Sequence, residues 1–394
     1  MRRLSNLGLI VLGAIIPLYG LLIALDPNRP PTPHVPAPVA LVIALVLLLS
    51  IVATIPAAVR SARRDSMTLA YLSPGAACLI SSLAGFDPPT GIPFSLLVLG
   101  LGGAALALAR DADAATVRTV VRAFLWSALA AAVVALVMVV TRQPPEIYAY
   151  NNGRAIGTFL NANELAAFAI GVLGVAVPLA VTSRGRDRLA TVTALLLLVT
   201  LGATFSRWGA LCAVVAVALF AAFDRRRAVF AAALVIALAG IGLDAWAGAT
   251  HHNPRDTEAR VVAWRTGWTT FLRFPLLGVG PLAFEKTYDE LRPPDAPGTQ
   301  TPVAFDPHSL PLAFAAEGGI LAVVTLAVSF TLLLRAAIGA ARAAPPAQRV
   351  LAYCLAATFL ALLLDCGINT IVIFFALALQ VVTLAYAVVR TDAL

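Results

Sequence analysis

Charge is scarce in this chain of 394 residues, and that scarcity decides its class. Only 12% of the residues are charged, about half the share found in soluble domains, whereas 60% are hydrophobic. Apolar runs of about 20 residues, the length of one bilayer helix, recur along the chain. The composition therefore excludes a soluble domain and predicts an all-α integral membrane protein.

Residues that carry common chemistries are also few. The four cysteines lie in or at the ends of apolar segments without CxxC spacing, so they predict buried thiols and neither disulfides nor zinc. The four histidines include no pair at helical metal-ligand spacing, and the loop 26–38 holds a single acid, Asp26. No P-loop, Gly-x-Ser-x-Gly or dinucleotide fingerprint is present. We expect neither a metal nor another cofactor.

Twelve apolar segments are candidate membrane spans. They cover residues 7–25, 39–59, 67–85, 94–109, 119–141, 163–182, 189–204, 208–223, 228–247, 308–334, 350–364 and 371–389. No Ala-x-Ala-like cleavage site follows the first segment, which is interpreted as a retained helix. We expect a single membrane domain, residues 1–394.

The arginines predict which side of the membrane each loop faces. They crowd one set of loops, while the alternate short connections hold only Arg29, Arg142, Arg154 and Arg207. By the positive-inside rule, both termini are cytoplasmic and the loop 248–307 lies outside. Topology thus accounts for the net charge of +8, and no nucleic-acid partner is expected.

The loop 248–307 is predicted to contain two short helices. The first ends at Phe274–Pro275 because the residue before a proline disfavours the helical region. Its amphipathic face carries Trp264 and Trp268, which is typical of a helix that lies along the membrane interface. The second helix is predicted from Pro281 to Leu291, after a turn at residues 278–280.

Ten basic residues face outside in this topology, namely Arg29, Arg142, Arg154, Arg207, Arg255, Arg260, Arg265, Arg273, Lys286 and Arg292. Arg207 lies between two apolar helices, near membrane depth, where an arginine is costly. Guanidinium groups match phosphate oxygens in bidentate geometry. The pattern predicts an outward-facing site for a polyanion at headgroup level, such as a lipid diphosphate. The alternative is snorkelling arginines that contact ordinary phospholipid headgroups.

His308 and Glu317 are the other candidates for chemistry. Asp306–Pro307 is interpreted as the N-cap and first turn of a helix, whose dipole would favour a neutral, basic imidazole at His308. The alternative is an interfacial histidine that only makes hydrogen bonds. Glu317 lies within an apolar span, which makes it a functional candidate, with a structural carboxylate as the alternative. It lies roughly 13 Å further along the helix and on its opposite face, so it cannot contact His308 from there.

Four motifs together resemble the O-antigen ligase and polymerase superfamily over roughly residues 145–330. They are GRAIGTFLNANELA, TFSRWGAL, ARVVAWRTGWTTFLRFPLLGVGPLAF and DPHSLPLAFAAEGGI. The resemblance implies a GT-C-like, multi-pass protein of the bacterial inner membrane. It carries the family's functional arginines onto Arg207 and Arg260 and its loop histidine onto His308. Ser309 stands where the family often has asparagine.

The resemblance also implies a substrate and a reaction. The donor would be an undecaprenyl-diphosphate-linked glycan used on the periplasmic side, and the acceptor lipid A–core or another glycan. Arg207 and Arg260, aided by Arg154 or Arg265, would bind the diphosphate, while His308 accepts the proton and Glu317 supports the site. We expect metal-independent, inverting transfer by a ligase.

Two alternatives to a ligase stay open. A polymerase of the same superfamily would share the chemistry and differ in its acceptor. A transporter of an anion or lipid-linked precursor would belong to another class, but transporters place polar residues near mid-membrane, often in repeated halves. Here the cations cluster at one face and the halves look dissimilar.

Overall fold

The computed structural model describes residues 2–15, 17–18, 37–159, 161–224, 254–293, 306–367 and 372–391, and within these residues all regular secondary structure is helical. The helices are α1 Arg2–Ile15, α2 Ala37–Ser61, α3 Ser66–Ala84, α4 Pro88–Arg110, α5 Ala114–Thr141, α6 Pro145–Tyr150, α7 Ala162–Thr182, α8 Arg188–Ala203, α9 Arg207–Asp224, α10 Pro254–Arg273, α11 Phe284–Leu291, α12 Leu310–Ala343, α13 Pro346–Cys366 and α14 Val372–Thr391. The predicted all-α membrane fold is confirmed.

The apolar helices follow the predicted spans, although α1 begins at Arg2 instead of residue 7 and α12 continues to Ala343, nine residues past the predicted end. Seven of them (α2 to α5, α7, α12 and α13) are long and apolar enough to cross a membrane, and α1, α8, α9 and α14 contain shorter apolar segments. The predicted span 228–247 lies outside the described residues. The total of twelve therefore stays a prediction.

Small residues allow the central helices to approach closely, as is common between helices in membranes. An ideal Cβ on Gly174 of α7 would lie 2.2 Å from Thr358 Oγ1 of α13, so only glycine fits there. Elsewhere the Tyr71 hydroxyl and Thr383 Oγ1 share a buried hydrogen bond of 2.9 Å that joins α3 to α14. The four cysteines are buried and free, as predicted.

Because successive helices cross the bundle in opposite directions, several connections lie together at one end of it, which we call the loop end. It comprises the α3–α4 turn, the segment between α5 and α7, the α8–α9 turn, and the connection from α10 through α11 to α12. Residues Arg60 and Asp111, paired at 3.4 Å, lie at the opposite end. Every candidate site residue lies at or near the loop end.

Both predicted loop helices are present. The first, α10, ends at Arg273, one residue before the predicted stop. The second, α11, ends at Leu291 as predicted but begins at Phe284, three residues later than expected. The delay arises because Leu282 adopts a left-handed φ of 61°, which a helix cannot include.

Candidate functional site at the loop end

Arg207 is the first residue of α9 and is exposed. The preceding Ser206 caps the helix, since its Oγ accepts a 3.1 Å hydrogen bond from Gly209 N. The backbone N–H groups at this helix start and the Arg207 guanidinium together provide positive potential. A helix N-terminus with an exposed arginine is suited to binding an anion.

A second helix start lies beside the first. Asn161 caps α7 by accepting hydrogen bonds from Asn163 N at 2.9 Å and Glu164 N at 3.1 Å. Ser206 Oγ donates to Asn163 Oδ1 at 2.9 Å, which ties the two N-termini together. The loop end thus presents two adjacent helix N-termini.

Arg154 joins these two helix starts. Its Nε donates to Thr204 O at 2.8 Å, and its Nη2 donates to Asn163 Oδ1 at 3.0 Å. Nearby, Ala155 N donates to Ala203 O at 2.9 Å. Arg154 therefore lies in one group with Arg207, which we call the Arg207 cluster (Arg154, Asn163, Ser206 and Arg207), and part of its guanidinium braces the backbone there.

Arg260 and Trp264 lie one turn apart on α10 and so share a face. Arg260 is partly buried, and Trp264 Nε1 donates to His308 O at 3.3 Å. The structure therefore places Arg260 on the side of α10 that faces the His308 segment. Arg265 is exposed and lies about 140° around the helix from Arg260, so it faces another side.

Close packing holds α10 against this segment. An ideal Cβ on Gly267 would lie 3.1 Å from Pro307 Cβ and 3.0 Å from Leu312 Cγ. The buried Val262 and Ala263 pack with Phe284 and Tyr288 of α11 and Ala316 of α12. Burial raises the pKa of the Tyr288 hydroxyl, which stays neutral in this small core.

His308 precedes α12 instead of lying in its first turn. The helix begins at Leu310 with Ser309 at the N-cap, so the prediction that Asp306–Pro307 starts the helix is wrong. The reason is local. Asp306 Oδ1 accepts a 2.6 Å hydrogen bond from His308 N, which closes a turn, and His308 adopts a left-handed φ of 48°.

The imidazole of His308 is accessible. Its side chain is 46% exposed, and its Nδ1 lies 3.5 Å from Asp306 Oδ1. We call Arg260, Trp264, Asp306 and His308 the His308 cluster. A left-handed backbone costs a non-glycine residue energy, and such strain is often found at functional positions.

Glu317 supports the loop backbone. Its Oε1 accepts from Phe284 N at 3.4 Å, at the start of α11. Its carbonyl accepts from Gly280 N at 2.9 Å, and the carbonyl of Ala316 accepts from Val279 N at 3.0 Å. The backbone carbonyls of Ala316 and Glu317 thus hold the connection between α10 and α11 against α12, and the Glu317 carboxylate adds one hydrogen bond at the start of α11.

The loop 275–280, which we call the PLLGVG loop, sits in a break of α12. The break lies at Gly319, whose φ of 62° and ψ of −161° are not helical. Ile320 N donates to Pro275 O at 2.8 Å, and Phe86 N of the α3–α4 turn donates to Val279 O at 2.8 Å. The predicted turn at residues 278–280 is confirmed, and it links three parts of the loop end.

An ion pair gives the loop a further anchor. Lys286 Nζ of α11 lies 2.6 Å from Asp87 Oδ2, just ahead of α4. The hydrogen bond from Lys286, with a second from Thr90, lowers the pKa of Asp87.

Sequence reasoning missed the partners of the candidate residues. Asn163 and Ser206 were not singled out, although their motifs were, and Asp306 was interpreted only as a helix cap. An Asp two residues before a histidine is a signal for a side-chain-to-backbone turn. No local signal pairs residues 43 positions apart, such as Asn163 and Ser206.

The fold and the site together define a polytopic helical membrane protein with a cationic, histidine-bearing surface at one end. A family model described as O-antigen ligase matches residues 192–327, which include Arg207, Arg260, His308 and Glu317 but not Arg154. The match confirms the resemblance to the O-antigen ligase superfamily, a family of glycosyltransferases of the ligase and polymerase type. No curated protein matches the chain.

Proposed function

We propose that this protein transfers a glycan from an undecaprenyl-diphosphate carrier to an acceptor hydroxyl on the periplasmic side of the inner membrane, as an O-antigen ligase acting on lipid A–core. The observation that carries the proposal is the pairing of two features at one end of the bundle. One is the Arg207 cluster, with its two helix N-termini. The other is the His308 cluster, with its accessible imidazole.

The Arg207 cluster and Arg260 would bind the donor diphosphate. Bidentate guanidinium contacts and helix N–H groups both suit phosphate oxygens. The same groups would stabilise the negative charge that develops on the leaving diphosphate. Arg154 would act chiefly by bracing the cluster, because two of its donors already bind Thr204 O and Asn163 Oδ1.

His308 would act as the general base. Its imidazole accepts the proton of the acceptor hydroxyl while that oxygen forms a bond to the anomeric carbon. The bond from the anomeric carbon to the diphosphate oxygen breaks in the same step, and the lipid diphosphate departs. A single displacement of this kind inverts the anomeric centre.

Matched arginine variants test the donor site. Arg207→Lys keeps the charge but loses the bidentate geometry, so we expect kcat/KM for the donor to fall about 10- to 100-fold, the loss of one charge-assisted hydrogen bond. The control is Arg273→Lys, because Arg273 lies at the same end in an exposed pair with Glu290 at 3.3 Å. Equal activity of the two variants would contradict the donor site.

Complementation tests the acceptor. The gene is expressed in one strain that lacks its O-antigen ligase and in another that lacks its O-antigen polymerase, and the lipopolysaccharide is analysed on gels. Restored attachment of glycan to lipid A–core in the first strain alone supports a ligase. Restored chain extension in the second strain alone overturns that assignment in favour of a polymerase.

A further inference from the structure

The His308 backbone is held by hydrogen bonds at both its N–H and its C=O. Asp306 Oδ1 accepts from His308 N at 2.6 Å, and Trp264 Nε1 donates to His308 O at 3.3 Å. The chain direction is fixed further by Ser309 at the N-cap of α12. Few degrees of freedom therefore remain to His308 beyond its side-chain torsions.

The His308 ring also lies beside a carboxylate. The same Asp306 oxygen that closes the turn lies 3.5 Å from His308 Nδ1, which is the ring nitrogen nearer the backbone. The Asp306 side chain is 29% exposed and that of His308 46% exposed, so the carboxylate is the more sheltered partner. A carboxylate beside Nδ1 favours the tautomer with its proton on Nδ1, which makes Nε2 the basic nitrogen of the ring.

We propose that Asp306 is a positioning residue that turns the His308 ring so that a basic Nε2 faces the substrate. The inference rests on the proposed function. The proton taken by Nε2 from the acceptor hydroxyl makes the ring cationic, and the Asp306 carboxylate stabilises that cation without itself accepting the proton. It also offsets the N-terminal field of α12, which disfavours a cation at this place.

A simpler role would be the turn alone, and one substitution separates the two. Asp306→Asn keeps a side-chain oxygen that can accept from His308 N, but it removes the negative charge beside Nδ1. Asp306→Ala removes both. A residue that only closes the turn would tolerate asparagine.

The test measures kcat and KM of the purified protein with a lipid-diphosphate glycan and lipid A–core. We expect Asp306→Asn to lower kcat about 10- to 100-fold with little change in either KM or in the thermal midpoint, since general-base assistance contributes about 10²–10⁴-fold. Glu290→Gln, which removes an exposed carboxylate at the same end, is the control and should match the wild type. Wild-type kcat in Asp306→Asn would overturn the proposal.

A second measurement reports on the ring directly and does not depend on transfer. The four histidines are labelled with ¹⁵N, and the resonances of His308 are assigned by their loss in His308→Asn. We expect the Nδ1–H tautomer in the wild type and a mixture in Asp306→Asn. An Nε2–H tautomer in the wild type would refute the positioning role, whereas the expected tautomer without any transfer would refute only the proposed function.

Discussion

Replacing Gly278 by alanine should separate the loop helices from α12. Gly278 has a left-handed φ of 65°, and an ideal Cβ there would lie 2.3 Å from Glu317 C and 2.5 Å from Gly318 N. Those are backbone atoms held by the Gly280 N to Glu317 O hydrogen bond, so they cannot move aside cheaply. The left-handed backbone costs alanine about 1–2 kcal/mol, and overpacking adds about 1–3 kcal/mol. We expect a total loss of about 2–5 kcal/mol.

Gly185→Ala is the matched control. Gly185 also has a left-handed φ, of 76°, but nothing lies within 4 Å of its ideal Cβ. The Gly185→Ala variant should therefore lose only the part of the unfolding free energy that comes from the left-handed backbone, about 1–2 kcal/mol. The assay is thermal unfolding in detergent, combined with glycan transfer, which should fall in Gly278→Ala because Arg260 and His308 depend on the same packing. A Gly278→Ala protein as stable as Gly185→Ala would refute the reasoning.

Three further predictions concern the same end of the molecule. His308→Gly should abolish transfer while leaving the thermal midpoint unchanged or higher, because glycine relieves a left-handed backbone worth about 1 kcal/mol and the contact of His308 Nδ1 with Asp306 that it loses is exposed. A large fall in the midpoint would contradict this. Trp264→Phe should lower kcat/KM by about 2- to 12-fold, the worth of one neutral hydrogen bond of about 0.5–1.5 kcal/mol, and an unchanged value would show that the indole does not hold His308. Lys286→Met should reduce the loss of thermal stability at low pH. The pKa of Asp87 is lowered in the folded protein, so its pair with Lys286 stabilises the fold fully above the ordinary Asp pKa of about 3.9. That stabilisation is lost as the pH falls through the lowered pKa, and the variant has less of it to lose. Thermal midpoints from pH 7 to pH 3 check this, and an equal fall in variant and wild type would contradict it.

Composition and periodicity were enough to predict the long helices and most of their ends, whereas the short helix α6 was not predicted. Near-continuous apolar runs have few structures open to them in a bilayer, because every backbone group must be satisfied within the chain. The end of α10 followed from the proline at position 275, and the turn at residues 278–280 from its glycines. These are local properties, which a sequence displays directly.

The packing of the PLLGVG loop into α12 could not be predicted in the same way. The segment 308–334 reads as one apolar span, and the break at Gly319 becomes favourable only because Ile320 N finds Pro275 O, 45 residues away. Asp306 likewise has the sequence context of a helix cap. In the structure Asp306 instead closes a turn with His308 N, and that turn depends on the left-handed backbone of His308. Trp264, on a helix distant in sequence, helps to hold this backbone.

The candidate residues themselves could be found from the sequence because their residue types are rare in it. Arg207 and His308 stood out because charge and histidine are rare in this chain, and the family match covers both. Their neighbours Asn163 and Ser206 carry no charge and stood out only once the structure joined them.

The most direct test of the central claim is a transfer reaction with the purified protein in detergent. It contains an undecaprenyl-diphosphate-linked glycan and lipid A–core, without nucleotide and with a metal chelator. The wild type should release undecaprenyl diphosphate and form the glycan–lipid A bond with an inverted anomeric centre. His308→Asn, whose asparagine tolerates the left-handed backbone, should form no product above background. Transfer by His308→Asn at the wild-type rate would contradict the account.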